Sequence, residues 1–167
     1  NTAEANGDMV FTLGMLHAVG QLQMHLGMPS KMAPLDRKMS VMSAGRAELE
    51  KDTFGFHYGD VSAELAKIWN FPQNLIVALR AVPQPLAQDP FSESAGWVHL
   101  GAWRARTEVL EMTDEEIVDS YPEEVGKRLG IDRRWVAAIN AQTPGLTEQE
   151  IMPPLKALTE GLDAMLE

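Results

Sequence analysis

The sequence has no cysteine and comparatively few basic residues, and both absences exclude classes of function. Without a thiol there is no disulfide framework, no cysteine-ligated zinc and no cysteine nucleophile. The 14 lysine and arginine residues stand against 24 aspartate and glutamate residues, which gives a net charge of −10. This balance argues against general nucleic-acid binding, because few positive charges are available to neutralise phosphates.

Long apolar runs are also missing. The chain nowhere has the roughly 18 consecutive apolar residues that a membrane span needs, and it opens on a polar stretch over residues 1–8 with no signal-peptide pattern. We therefore expect a cytoplasmic protein without a membrane segment. Because the first residue is Asn1 and not methionine, we also expect the chain to be part of a longer protein.

The apolar residues recur every three or four positions along almost the whole chain, which predicts helices. The alternating pattern of strands and hairpins is absent. We therefore predict an all-α fold with several helices. The predicted helices cover residues 9–26 with Asp8 as N-cap, 34–54, 58–69, 73–81, 92–109, a short one from 113, and then 122–129, 132–141 and 147–166.

The four histidines are the first candidates for a functional site. No two of them have the spacing of a metal-binding pair, and His17 and His25 lie eight residues apart, too far along a helix to share an ion. Glycine-rich phosphate-binding loops and the Gly-x-Ser-x-Gly nucleophile motif are absent as well. Residue spacing by itself therefore indicates no catalytic centre.

Two uneven distributions allow more than one interpretation. Residues 108–124 contain eight acidic residues and no basic one, which fits either a solvated face near helix N-termini or a docking surface for a basic protein partner. Seven of the ten methionines lie between Met9 and Met42. They fit either a packed core or a contact with a helical segment outside this chain.

Three stretches, taken in order, carry a resemblance to a known family. Residues 14–22, Gly-Met-Leu-His-Ala-Val-Gly-Gln-Leu, are similar to the Leu-His-Asp-Ile-Gly-Lys-Leu signature of the HD superfamily of metal-dependent phosphohydrolases. Residues 50–66 and the Trp-Asn-Phe-Pro stretch at 69–72 resemble the HDOD (HD-related output domain) subgroup, a bacterial signalling module. Residues 98–102 resemble a later Val-His-Leu-Ala-Asp stretch. The matching motif residues are His17, Gly20, His57, Gly59, Trp69, Pro72 and His99.

The resemblance also implies a degenerate metal site. Catalytic members use an aspartate after the first histidine, a His-His pair and a late aspartate. The corresponding residues here are Ala18, the pair Ala81 and Val82, and Ala102. Only His17 and His57 stay as residual metal candidates, and two imidazoles without a carboxylate are a poor site for a hard divalent cation. We therefore predict that the protein is not an enzyme and has no catalytic residues, metal or cofactor.

The remaining motif residues have an architectural interpretation. Gly14 and Gly20 on the first helix would permit close crossing by another helix, and Gly59 would do the same. Residues 69–72 predict a corner between two helices, with both aromatic side chains buried, Asn70 in the left-handed conformation and the proline starting the next helix.

The resemblance covers residues 11–106. We expect residues 1–106 to form the C-terminal part of an HDOD module, and residues 107–167 to form a helical extension packed on it. The implied function is a non-catalytic signalling output or scaffold domain of a bacterial signal-transduction protein, acting through protein partners, with homo-oligomerisation left open. Two alternatives stay open: an HD-type phosphohydrolase with an atypical metal site, and a regulatory module that binds a nucleotide or other small molecule in the vacated pocket.

Overall fold

The computed structural model describes residues 7–131, and every regular element in this range is helical. The all-α prediction is confirmed for this part of the chain, while the helices predicted over 132–141 and 147–166 lie outside it. The α-helices are α1 (Gly7–Leu16), α2 (Val19–Gly27), α3 (Pro29–Lys38), α4 (Arg46–Phe54), α5 (Tyr58–Ile68), α6 (Gln73–Ala81), α7 (Glu93–Val109), α8 (Asp114–Asp119) and α9 (Glu123–Leu129), with a 3₁₀ turn at Pro85–Ala87.

Local capping signals fix several helix starts where the sequence predicts them. The Ser92 hydroxyl accepts a hydrogen bond from the Ala95 N–H at 3.3 Å, which caps α7. At α8, Thr113 and Glu116 form a reciprocal capping box. The predicted bounds of α5 and α6 also agree with the structure to within one residue.

The single helix predicted over residues 9–26 is wrong, because the chain breaks at His17 between α1 and α2. Ser62 on α5 supplies hydrogen bonds at the break. Its hydroxyl accepts from the Gly20 N–H at 2.9 Å and donates to the His17 carbonyl at 3.1 Å. Asp8, predicted as the N-cap, lies instead in the first turn of α1, where the helix dipole also favours a carboxylate.

The helix predicted over residues 34–54 is wrong as well, because it is two helices, α3 and α4, joined by an irregular turn. Proline suits the first position of a helix, and α3 begins at Pro29. The turn is closed by Arg46, whose guanidinium donates to the Met39 carbonyl at 2.6 Å. Local helix propensity predicts a continuous helix here, whereas in the structure the buried Arg46 stabilises a turn between two helices.

The centre of the fold is α5, which packs against α2 and α6. A Cβ at Gly20 would collide with the Tyr58 carbonyl, and a Cβ at Gly59 would lie 2.7 Å from the Pro83 side chain. The expectation of close approach is confirmed for these two glycines. It is wrong for Gly14, which has open space around it.

The predicted corner at residues 69–72 forms, with one difference. Asn70 is left-handed with φ of 60° and α6 begins directly after Pro72, as predicted. Phe71 is half-buried, but Trp69 is 49% exposed, so the expectation that both aromatic side chains are buried is wrong for Trp69. The two rings meet edge to face with their centroids 6.3 Å apart.

The core is built from small and branched side chains of α5, α6 and α7 around Leu13 of α1. Met24 and Met32 are buried, whereas Met15 is 71% exposed, so the methionine cluster is only partly a core feature. None of the helices within residues 7–131 combines the length and apolarity that crossing a bilayer requires. The boundary predicted at 106/107 falls within the last turn of α7 and stays a prediction.

Candidate functional site

The main candidate site is a cavity of about 310 Å³, here called the central cavity. Its wall is formed by the α1–α2 junction, the turn before α4, the start of α5, the segment after α6, and α7. The polar residues that line it are His17, Gln21, Ser43, Tyr58, His99 and Arg106. The remaining lining is apolar and includes Ala18, Val82 and Ala102.

His17 and His99 face this cavity with the same ring nitrogen available. In His17, Nδ1 lies 2.6 Å from the Gly14 carbonyl, and in His99, Nδ1 lies 2.8 Å from the Val82 carbonyl. Since a carbonyl can only accept, each Nδ1 carries the proton and each neutral ring keeps a lone pair on Nε2. Burial lowers the pKa of His99 and so favours its neutral form.

Arg106 and Tyr58 add the remaining strong polar groups. Arg106 is half-buried and has no ion pair or hydrogen bond with any residue in the described part of the chain. Burial raises the pKa of Tyr58 to about 12, so its hydroxyl stays protonated at neutral pH, although the charge of Arg106 acts in the opposite direction. The cavity therefore combines a guanidinium, two imidazoles that each donate from Nδ1 to a backbone carbonyl, and a phenol.

His57 has a different role from the other two motif histidines. It is the N-cap of α5: its Nδ1 accepts from the Asp60 N–H at 3.3 Å, and the Asp60 carboxylate accepts from the His57 N–H at 3.1 Å. Burial lowers the pKa of His57. Only the neutral ring can accept this capping hydrogen bond. His57 does not line the central cavity, so its role is to cap α5.

A buried polar network lies directly beside the cavity. Its centre is Glu50 on α4, which is fully buried, next to Arg46, which is 1% exposed. One Glu50 oxygen accepts from Arg46 Nε at 2.9 Å and from Gln21 Nε2 at 3.0 Å, and the other accepts from the Tyr58 N–H at 2.9 Å. Two of these partners, Gln21 and Tyr58, also line the cavity.

The network continues outward from Arg46 to α3. Arg46 Nη2 donates to Asp36 at 2.8 Å, and the other Asp36 oxygen accepts from His25 Nε2 at 3.0 Å. Desolvation raises the pKa of Asp36, but the hydrogen bonds from Arg46 and His25 outweigh it and hold the pKa below its usual value. The network thus joins α2, α3, α4 and α5 through charge-assisted hydrogen bonds.

The structure brings some of the sequence-predicted site residues together and separates others. His17 and His99 meet at the central cavity with three positions where catalytic relatives would carry metal ligands: Ala18, Val82 and Ala102. Ala81 is buried outside the lining. Gly20, Gly59, Trp69 and Pro72 occupy the helix crossings and the corner described above.

The donor set of the central cavity does not fit a divalent cation. Among residues 7–131 its lining has no carboxylate, and it has the Arg106 guanidinium, which repels a cation. Within residues 7–131 no cluster of three or more histidine, aspartate or glutamate side chains could hold a metal ion. A hard cation prefers several oxygen ligands, which this cavity does not offer.

A larger groove, of about 520 Å³, is lined by the segment that follows α6 and by the start of α9. Pro83 and His99 line both the groove and the central cavity, and Glu123 and Glu124 also line the groove. We regard the smaller cavity as the candidate site, because several polar groups converge on it.

The acidic run over residues 108–124 is largely explained by helix starts. Asp114, Glu115 and Glu116 lie in the first turn of α8, and Glu123 and Glu124 lie in the first turn of α9. Carboxylates in the first turn interact favourably with the helix dipole. This placement supports the interpretation as a solvated face, and docking of a basic partner stays a prediction.

Arg106 and the Glu50 network are the residues that sequence reasoning missed. Arg106 follows Ala102 by four residues and His99 by seven, so helical spacing places all three on one face of α7. That spacing was an available signal. Arg46 and Glu50 are four residues apart, but only the fold shows that this pair is buried.

Comparisons with known proteins agree with this architecture. The model of a family described as the HDOD domain matches residues 1–85. A solved structure described as a “Putative phosphohydrolase” from Shewanella amazonensis SB2B is similar in fold, with a TM-score of 0.60 and 24% sequence identity. The match covers 80% of this chain and 49% of that protein, so the chain spans about half its length. A search of curated proteins gives no match.

Proposed function

Because this chain belongs to the HDOD family, within the HD superfamily, we propose that it is a non-catalytic regulatory domain of a bacterial signal-transduction protein. It works in the cytoplasm through contact with a protein partner. The observation that carries the non-catalytic part is the lining of the central cavity, to which the described residues contribute a guanidinium and no carboxylate. A metal-activated water requires a stably held metal ion, and this lining disfavours one.

We expect the protein to show no metal-dependent phosphoester hydrolysis. The protein is stripped with EDTA, dialysed, and assayed with Mn²⁺ or Mg²⁺ on p-nitrophenyl phosphate and bis(p-nitrophenyl) phosphate. Product release should equal the blank for both the parent and His17→Ala, since no metal centre is present to be lost. Turnover that requires metal and disappears in both His17→Ala and His99→Ala would show that the domain is catalytic.

Exposed apolar side chains on the first two helices support contact with a protein. Phe11 and Met15, one turn apart on α1, are each 71% exposed, and Leu22 and Leu26, one turn apart on α2, are 61% and 70% exposed. Isolated apolar residues are normal on a surface, but neighbouring large ones are typical of interaction sites. The pairs on α1 and α2 are therefore the proposed contact positions.

A photo-crosslinking amino acid at position 11 is expected to give a protein adduct in cells that express the chain. The same amino acid at Asp52, an exposed position on α4, is the matched control and should give little or none. Adding Met15→Ser should lower the yield at position 11, because it removes the apolar neighbour one turn away. Equal yields at positions 11 and 52 would contradict contact through α1.

A further inference from the structure

Arg106 lies in the cavity wall, and no residue of the described range 7–131 serves as its counterion. Its neighbour on α7, Arg104, pairs with Glu108 at 3.2 Å, and Arg80 pairs with Glu64 at 3.0 Å. Arg106 makes no such contact within residues 7–131, although it lines a cavity and is half-buried. A partly desolvated guanidinium is stabilised by a carboxylate or phosphate, whose planar or tetrahedral oxygens match its donors.

The cavity is also rich in acceptors that need a donor. In the neutral form of each ring, Nε2 of His17 and Nε2 of His99 carry the lone pair, because the other nitrogen of each ring donates to a backbone carbonyl. Within the described range neither Nε2 has a hydrogen-bond partner. A ligand that satisfies both rings must therefore bring hydroxyl or amine groups.

The size and polarity of the cavity further restrict the class of ligand that it could bind. About 310 Å³ lies at the lower end of the roughly 300–1,000 Å³ typical of small-molecule sites. Ala18 and Ala102 line the cavity with small apolar side chains, which bring no negative charge that would repel an anion. A lining with alanine at these two positions is less suitable for a metal ion and more suitable for an organic anion.

We propose that the central cavity binds a small hydroxylated organic anion. Its carboxylate or phosphate pairs with Arg106, and its hydroxyl groups donate to Nε2 of His17 and His99. This inference rests on the proposed function, since it makes the cavity a binding site in a domain that carries out no reaction. It deepens that function by giving the class of molecule that the domain would sense.

The test is calorimetric titration of the protein, in EDTA, with ribose 5-phosphate, ribonate and ribose. These probes share a hydroxylated body and carry a phosphate, a carboxylate and no charge, respectively. At least one of the two anions should bind, and ribose should bind about tenfold more weakly or worse, because it has no charge for Arg106. The anion that binds identifies the charged group recognised.

Variants of two arginines on the same helix locate the interaction. Arg106→Gln should weaken anion binding by about tenfold or more, and Arg106→Lys should retain more of it because the charge remains. Arg104→Gln removes the same charge from α7 outside the cavity lining and should leave the affinity unchanged. The thermal midpoint of each variant shows that it is folded.

Two results would overturn the inference: neither anion binds, or Arg104→Gln weakens binding as much as Arg106→Gln. These two results can be distinguished from a failure of the proposed function. Metal-dependent hydrolysis of ribose 5-phosphate would refute the non-catalytic function but would leave the proposal of anion binding at Arg106 intact. Absence of both binding and hydrolysis would refute only the anion site.

Discussion

Replacing Glu50 by leucine is expected to lower the free energy of unfolding by about 3–5 kcal/mol, the loss typical of breaking a buried ion pair. The substitution removes the buried carboxylate partner of the Arg46 guanidinium, which is 1% exposed, and leaves it paired only with the more exposed Asp36. It also removes the acceptor of the Tyr58 N–H and the Gln21 amide. Urea denaturation followed by circular dichroism measures the change.

A matched control and a double variant make this prediction specific. Glu64→Leu also removes a carboxylate that pairs with an arginine, Arg80, but Glu64 is exposed, so its loss should be below about 1 kcal/mol. The double variant Arg46→Met with Glu50→Leu should lose less than the sum of the single variants, because both members of the buried Arg46–Glu50 pair are then replaced by apolar side chains. A Glu50 variant as mild as the Glu64 variant would show that the network contributes little.

Gly20→Ala is expected to cost about 3 kcal/mol or more, at the upper end of overpacking substitutions. The added Cβ would collide with the Tyr58 carbonyl and lie 2.6 Å from the Ser62 N–H, and both are backbone groups that cannot turn aside. Relief requires α2 and α5 to move apart. Thermal and urea denaturation measure the loss.

Gly14→Ala is the matched control on α1. No atom of the part of the chain that the structure describes lies within 4 Å of a Cβ at this position, and alanine favours a helix more than glycine does. The variant should therefore be as stable as the parent or more stable by up to about 1 kcal/mol. If Gly20→Ala were tolerated as well as Gly14→Ala, the close crossing of α2 and α5 would be refuted.

Much of the fold could be predicted because its signals are local. Ser92 and Thr113 cap their helices through bonds to residues three positions away, and Asn70 makes its turn within the chain segment that contains it. The break at His17 could not be predicted, because it depends on a serine on α5. The α3–α4 turn was missed for the same reason, since it depends on the buried Arg46.

Part of the candidate site could be predicted because the family motifs contain two of its histidines. The order of the motifs placed His17 and His99 in one family pattern, and the structure brings both to the same cavity. The pattern also included His57, whose ring instead caps α5. Arg106 lies beyond the quoted motif at residues 98–102. That none of the residues over 7–131 pairs with it is a property of its surroundings in the fold, which residue spacing does not reveal.

The hydrogen bonds of Ser62 have a consequence for how the fold is assembled. They connect positions separated by 42 and 45 residues of chain, yet they shape a bend between two consecutive helices. Closing so long a loop has an entropic cost, which the packing of α5 against α2 helps to offset. The bend is thus a cooperative property of the folded domain, and a peptide containing only α1 and α2 would lack the contacts that define it.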